Sequence, residues 1–271
     1  MRGRHCRIRL TACVRNGTSV LANEQHCETQ LTSSKQATSW QRDPLRGCLG
    51  VDVDVLASPG MIRAPLLALL AVPLAAQTAD RLVGKNVSIT PTNYKGRSAI
   101  QVIANPAAAN ATSYAVVKDV LFRDGTIEVD LAGLPAAGAS DGARGFIGVA
   151  FRFQGDGSYE YIYLRPTNGR ADDQVRRNHS TQYSSHPDFD FARSRQEAPG
   201  KYESYVDVQP GIWTKYKIEV EGRKARLYVH GAEQPCLIVN DLKLDPRAGG
   251  VALWVGPGTE GYFSNLKIAA K

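Results

Sequence analysis

From Arg81 to the C-terminus the chain reads as short runs of alternating apolar and polar residues, set apart by Gly, Pro, Asn and Asp. A period of two marks a strand with one face buried and the other wet. The pattern predicts strands at Val87–Thr90, Ser98–Ile103, Tyr114–Val117, Gly125–Leu131, Gly145–Gln154, Tyr159–Arg165, Tyr202–Val206, Trp213–Glu221, Lys224–His230, Cys236–Leu242, Gly250–Val255 and Tyr262–Ala269. Turn signals such as Arg123-Asp-Gly125, Gly155-Asp-Gly157, Glu221-Gly222, His230-Gly231 and Pro257-Gly258 separate them. So many strands without a long helical period predict an all-β fold, a sandwich of two packed antiparallel sheets. No repeat of 20–50 residues is visible, which disfavours a propeller or solenoid.

Two runs show their faces well. In Trp213–Glu221, Thr214, Tyr216, Ile218 and Val220 alternate with Lys and Glu, and the next run continues with Ala225, Leu227 and Val229. This is a hairpin with one wet face. In Gly145–Phe153, Ile147, Val149, Phe151 and Phe153 alternate with Phe146, Gly148, Ala150 and Arg152. Small residues at 148 and 150 leave room above that second face, where an extended ligand can lie.

The hairpin Gly211-Ile-Trp213-Thr-Lys-Tyr-Lys-Ile218-Glu-Val-Glu-Gly222, with Ala225-Arg-Leu-Tyr-Val-His-Gly231, resembles that of concanavalin A-like sandwich domains. Gly249-Gly-Val-Ala-Leu-Trp-Val-Gly256 and Gly261-Tyr-Phe-Ser-Asn-Leu-Lys-Ile268 resemble their closing strand pair. The resemblance spans about Val87 to Ile268 and is nearest to laminin G-like domains and the bacterial 3-keto-disaccharide hydrolase (family-16-like) group. It implies a jelly-roll sandwich. Arg152 and Glu160 match polar positions of the hydrolase-like group, but Ile162 stands where that group has Gln, and Arg165 lies near its Asp. The E-x-D-x-E signature of β-glucanases is absent; Glu128-Val-Asp130 is a fragment of it.

Polar chemistry concentrates in Pro166–Arg195, read as a long loop laid over or beside the open sheet face. A loop of that length is often a lid or a binding element. Tyr159, Tyr161 and Tyr163 form an aromatic stripe suited to stacking on sugar rings or to capping the core. The candidate ligand-binding residues are Arg152, Tyr161, Tyr163, Arg165, Arg176, Arg177, Asn178, His186 and Asp190. Arginine is the side chain that grips oxyanions and hydroxyls through a planar fork. Hydrolysis of a glycosidic bond usually needs two carboxyl groups about 5–10 Å apart, and the candidate catalytic residues are Glu160, Asp188 and His179. Trp254 reads as core and Trp213 as scaffold. A calcium ion is compatible with the fold the resemblance implies, but no ligand set stands out, and no cofactor is expected.

The start of the chain differs. Residues 1–60 show neither helical nor strand periodicity and hold Cys6, Cys13, Cys27 and Cys48, whose spacing matches no zinc pattern. Met61-Ile-Arg63 and the apolar run Ala64–Ala76 have the anatomy of a secretory signal, too short to span a membrane. The sequence therefore divides into an extension at 1–60, either outside the natural reading frame or a disordered leader, a signal at 61–77, and one sandwich domain at 78–271. The expected location is secreted or periplasmic. The net charge of +7 splits into +3 for residues 1–60, +1 from Arg63 and +3 for the remainder. No basic cluster is interleaved with aromatics as a nucleic-acid groove requires. The expected partner is a carbohydrate or polysaccharide. The alternatives are a glycoside-type hydrolase using Glu160 with an acid of the 166–195 segment, and a sandwich with a purely structural or interaction role.

Overall fold

The alternation of Thr214–Glu221 becomes a strand in which Thr214, Tyr216, Ile218 and Val220 are buried. That logic extends through the molecule. The computed structural model describes residues 9–15, 18–24, 79–108 and 112–271. The chain divides into two units, Met1–Leu69 and Leu70–Lys271. In the first, strands β1 (Arg9–Arg15) and β2 (Thr18–Glu24) pair antiparallel, with Arg9 opposite Glu24. These strands form although residues 1–60 show no strand periodicity in the sequence. The signal-like segment 61–77 lies outside the described residues.

The second unit contains β3 (Leu82–Lys85), β4 (Val87–Tyr94), β5 (Arg97–Ala104), β6 (Ser113–Val117), β7 (Gly125–Pro135), β8 (Ile147–Phe153) and β9 (Tyr159–Leu164). There follow β10 (Thr181–His186), β11 (Glu203–Ser204), β12 (Thr214–Glu221), β13 (Lys224–Val229), β14 (Leu237–Val239), β15 (Gly250–Val255) and β16 (Thr259–Ala270). Two antiparallel seven-stranded sheets result, a front sheet in the order β11-β10-β9-β8-β15-β6-β3 and a back sheet in the order β14-β13-β12-β7-β16-β5-β4. The two-sheet all-β sandwich expected from the alternation is what forms. Its main core joins Val149, Phe151, Ile162 and Leu253 of the front sheet to Ile127, Leu131, Ile218 and Phe263 of the back sheet. A second cluster, built on Tyr114, Tyr159, Tyr163 and Trp254, lies on the outer face of the front sheet. Among the described residues no helix is long and apolar enough to cross a membrane.

Two local departures shape the outer face. The first is a bulge between β8 and β15: Phe153 pairs with Gly250 and Phe151 with Val251, so Arg152 is left as an extra residue with φ of +54°. The alternation slips by one there. Phe153 turns outward to stack on Tyr159 at 5.0 Å, and Arg152 is buried instead of lying on the open face. The second departure is the segment 166–195, which is not a loop. It forms helix α1 (Gln174–Asn178), the strand β10 and helix α2 (Phe191–Glu197). β10 pairs with β9 along its whole length, from Thr181 opposite Leu164 to His186 opposite Tyr159.

Candidate ligand-binding cleft

The cleft is built from β9 upward. Strand alternation puts Tyr159, Tyr161 and Tyr163 on the outer face and Glu160, Ile162 and Leu164 on the inner one. Neighbouring strands place Gly148 opposite Tyr163 and Ala150 opposite Tyr161. A side chain at 148 has no space: its Cβ would stand 2.1 Å from the Ile162 carbonyl oxygen and 2.6 Å from Tyr163 Cα. Trp254, opposite Gly148 on β15, leans over the strand and meets the rings of Tyr161 at 5.0 Å and Tyr163 at 4.9 Å. Tyr161 and Tyr163 stack at 5.5 Å, and His186 stacks on Tyr159 at 5.0 Å. Pairs of this kind each contribute about 0.5–1.5 kcal/mol beyond their area. The outcome is a fixed aromatic floor.

Over this floor lies an open cleft of about 1160 Å³. One wall comes from the turn after β7, with Ser140, Arg144 and Phe146. The other comes from α1 and α2, with Val175, Arg176, His179, Phe191 and Arg195. Each helix starts on an aspartate cap: Asp173 accepts the Arg176 N–H at 2.7 Å, and Asp190 accepts the Arg193 N–H at 2.9 Å. Val175 and Phe191 at the rim remain 66% and 45% exposed, a cost that a bound apolar ring face would relieve.

At one end of the floor a buried carboxylate organises two arginines and a histidine. Glu203 receives Arg165 Nη1 at 3.0 Å and Arg195 Nη2 at 2.6 Å, and His179 Nδ1 lies 2.8 Å from it. Arg165 also donates to the Tyr163 hydroxyl at 2.8 Å and to the His179 carbonyl at 3.0 Å. Burial pushes the Glu203 carboxyl up, but Arg195 and Arg165 outweigh it and hold the group below its usual range. Burial pushes the His179 imidazole down; Glu203 opposes this, Arg195 and Arg165 reinforce it, and the net direction is downward. Burial likewise lowers His186, with Lys85 adding to the effect.

The structure brings Tyr161, Tyr163, Arg165, Arg176, His179, His186 and Asp190 together around the cleft. It does not bring the others there. Glu160 faces the inter-sheet side, fully buried, and accepts hydrogen bonds from the Tyr183 hydroxyl at 2.6 Å and the Leu244 N–H at 2.7 Å. Burial raises its pKa despite these bonds. Arg152, turned in by the bulge, pairs with Asp124 at 2.9 Å and donates to the carbonyls of Arg123 and Gly222. Asp188 is exposed and offers its carbonyl to Arg193. Arg177 donates to the Tyr205 hydroxyl and lies over its ring, and Asn178 accepts from Gln174 within α1. Trp254 belongs to the floor as well as to a core cluster, which the sequence reading missed. Arg144 and Phe191 were also missed, and Phe146 was read only as a member of the open face; Arg144 precedes the strand and carries no periodic signal. Among the described residues no group of three or more His, Cys, Asp or Glu is placed to hold a metal ion.

No protein-family model and no curated protein matches this chain. Among solved structures it is similar to the carbohydrate-binding module CBM66 from Bacillus subtilis, at 16% identity and a TM-score of 0.46 over 69% of this chain and 93% of that one. It is similar to the cellulose-induced protein Cip1 at 12% identity and a TM-score of 0.46, over 72% and 94%. A third is the galectin LEC-6 of Caenorhabditis elegans, at 9% identity and a TM-score of 0.34, over 68% and 96%. Likenesses this distant say nothing about what this chain binds.

Proposed function

We propose that the protein binds a carbohydrate chain, laid along the outer face of the front sheet. The observation that carries this is the aromatic floor of Tyr161 and Trp254, with Phe146 on the adjoining wall, beneath an open cleft edged by arginine and histidine side chains. Sugar rings present an apolar face and a rim of hydroxyls, and such a site offers stacking below and hydrogen-bond donors at the sides. The hydrolytic alternative pairs Glu160 with an acid of the 166–195 segment. Glu160 lies on the far side of its strand, and Asp190 serves as a helix cap. Binding without bond cleavage is therefore the reading the geometry favours. A polysaccharide partner is consistent with a secreted or periplasmic location, for which the segment 61–77 is the sequence argument.

A glycan array and affinity electrophoresis with the full chain test this. Binding to at least one polysaccharide is expected, weakened about 5- to 10-fold in Tyr161→Ala, the loss of one aromatic contact. Phe191→Ala should weaken binding with little effect on unfolding. An array without hits from folded protein would overturn the proposal.

A further inference from the structure

Two cations of the cleft have no carboxylate partner. Arg144 Nη1 donates only to the carbonyls of Asp141 and Ala143. Arg176 donates through Nε to Asn168 Oδ1 at 3.0 Å and through Nη2 to Thr167 Oγ1 at 3.3 Å and its carbonyl at 3.5 Å. Among the described residues neither guanidinium has a carboxylate within ion-pair distance, whereas the cleft's other arginines, Arg165 and Arg195, share Glu203.

The two are neighbours by construction. The Arg144 carbonyl accepts the Thr167 N–H at 3.3 Å, and the Thr167 side chain meets Arg176. Burial lowers the Arg144 pKa, and repulsion from Arg176 and then Arg165 lowers it further, with Asp141 opposing. Arg144, Arg176 and Arg165 thus crowd one end of the cleft; Glu203 sits behind Arg165 and Arg195, and Asp141 offsets Arg144 without ion-pairing with it. Asp173 is turned to its own helix N-terminus. Half-buried like charges held together in this way are favourable only when an anion joins them, and a planar fork is the geometry that grips a carboxylate or sulfate.

We infer that the carbohydrate taken by this cleft is acidic, a glycan bearing carboxylate or sulfate groups, with one acid group seated between Arg144 and Arg176. The inference rests on the carbohydrate reading above and names its ligand class. Neutral parts of the chain lie on the aromatic floor, and the acid group sets the register of the chain along it.

Matched polysaccharides test it with the full chain: polygalacturonate against its methyl ester, and dextran against carboxymethyl-dextran and dextran sulfate. At least one acidic member is expected to bind about 10-fold or more tightly than its neutral counterpart. The carboxylate and sulfate arms separate the two anion sources. Arg176→Gln and Arg144→Gln should each remove most of that preference, with Arg176→Lys keeping part of it. The preference of the unaltered protein should also collapse at about 1 M salt, where screening acts over about 3 Å, a measurement that needs no variant to fold. Equal binding to neutral and acidic partners, or binding to neutral glycans alone, overturns the inference and leaves the carbohydrate reading standing. Folded protein that binds no glycan at all overturns both.

Discussion

Glu160 and Glu203 are both buried carboxylates, 0% and 7% exposed, and their surroundings differ. Glu203 is ringed by cations, which hold its pKa below the ordinary value against the opposing effect of burial. Glu160 has a hydroxyl and an N–H for partners, and burial keeps its pKa above the ordinary value. The signs of the linkage are therefore opposite. The contribution of Glu203 is fully present above the unfolded-state pKa of about 4.3 and is lost as pH falls through its lower folded value. The ionisation of Glu160 opposes folding at neutral pH, and that opposition is relieved as pH falls through its raised folded value. Glu203→Gln leaves two arginines facing a neutral amide and should cost about 3 kcal/mol at neutral pH. Its deficit should shrink only below about pH 4.3. Relative to Glu160→Gln, the unaltered protein should instead gain stability while acid is added above that point. Urea denaturation across this range checks both, and parallel curves for the two variants would refute the assignment. Glycan binding should survive Glu160→Gln, since that side chain does not reach the cleft.

At the level of elements, the cleft depends on how closely β8 and β9 approach. Gly148 has no positive φ to explain it; what it supplies is absence, since any Cβ there would press into the backbone of β9. Gly148→Ala should destabilise the protein by roughly 1–3 kcal/mol or more and, by lifting Tyr163, impair glycan binding beyond what the lost stability explains. Chemical denaturation and a binding curve on the folded fraction measure the two effects separately. The small residues at 148 and 150 were legible as room above a face, but not that Trp254 would lean into it, because cross-strand register is invisible before the strands are paired. β10 was unreadable for a related reason. Thr181, Gln182, Ser184 and Ser185 are all buried, so no hydrophobic period exists, and the strand is specified by its polar partners: the Thr181 hydroxyl donates to the Ser204 carbonyl, and Gln182 Nε2 donates to the Tyr183 carbonyl and Ser194 Oγ. The bulge at Arg152 misled in the other direction, since a simple period of two carried Arg152 to the open face.

Across the whole molecule the division of labour follows the two sheets. The back sheet turns a wet face outward, where Lys217 pairs with Glu219 at 2.8 Å and Arg97 with Asp130 at 3.0 Å; exposed pairs of this sort are worth little individually. The front sheet turns outward the aromatic cluster that carries the cleft. Twelve of the fourteen strands of the sandwich were legible, because burying one face of a sheet writes its period directly into the chain. The cleft was half legible: Tyr161, Tyr163, Arg165, Arg176 and His179 announce themselves by type, while Glu203, on the two-residue strand β11, sits in no motif that singles it out. Cohesion of the sandwich rests on its core. Cys236 is a free thiol, half-buried, whose pKa burial pushes up to about 11. The thermal unfolding of the sandwich should therefore be unchanged by reductant, and a shift in calorimetry would reveal a cross-link that the fold does not call for.

The chain has three tryptophans, Trp40, Trp213 and Trp254, and the last of them is 8% exposed at the floor of the cleft. A ring seated on that floor replaces water over the small part of Trp254 that solvent still reaches. Its emission then moves to shorter wavelength as occupancy rises. With Trp40→Phe and Trp213→Phe in the background, the molecule becomes an optical gauge of its own saturation, with no dye or label.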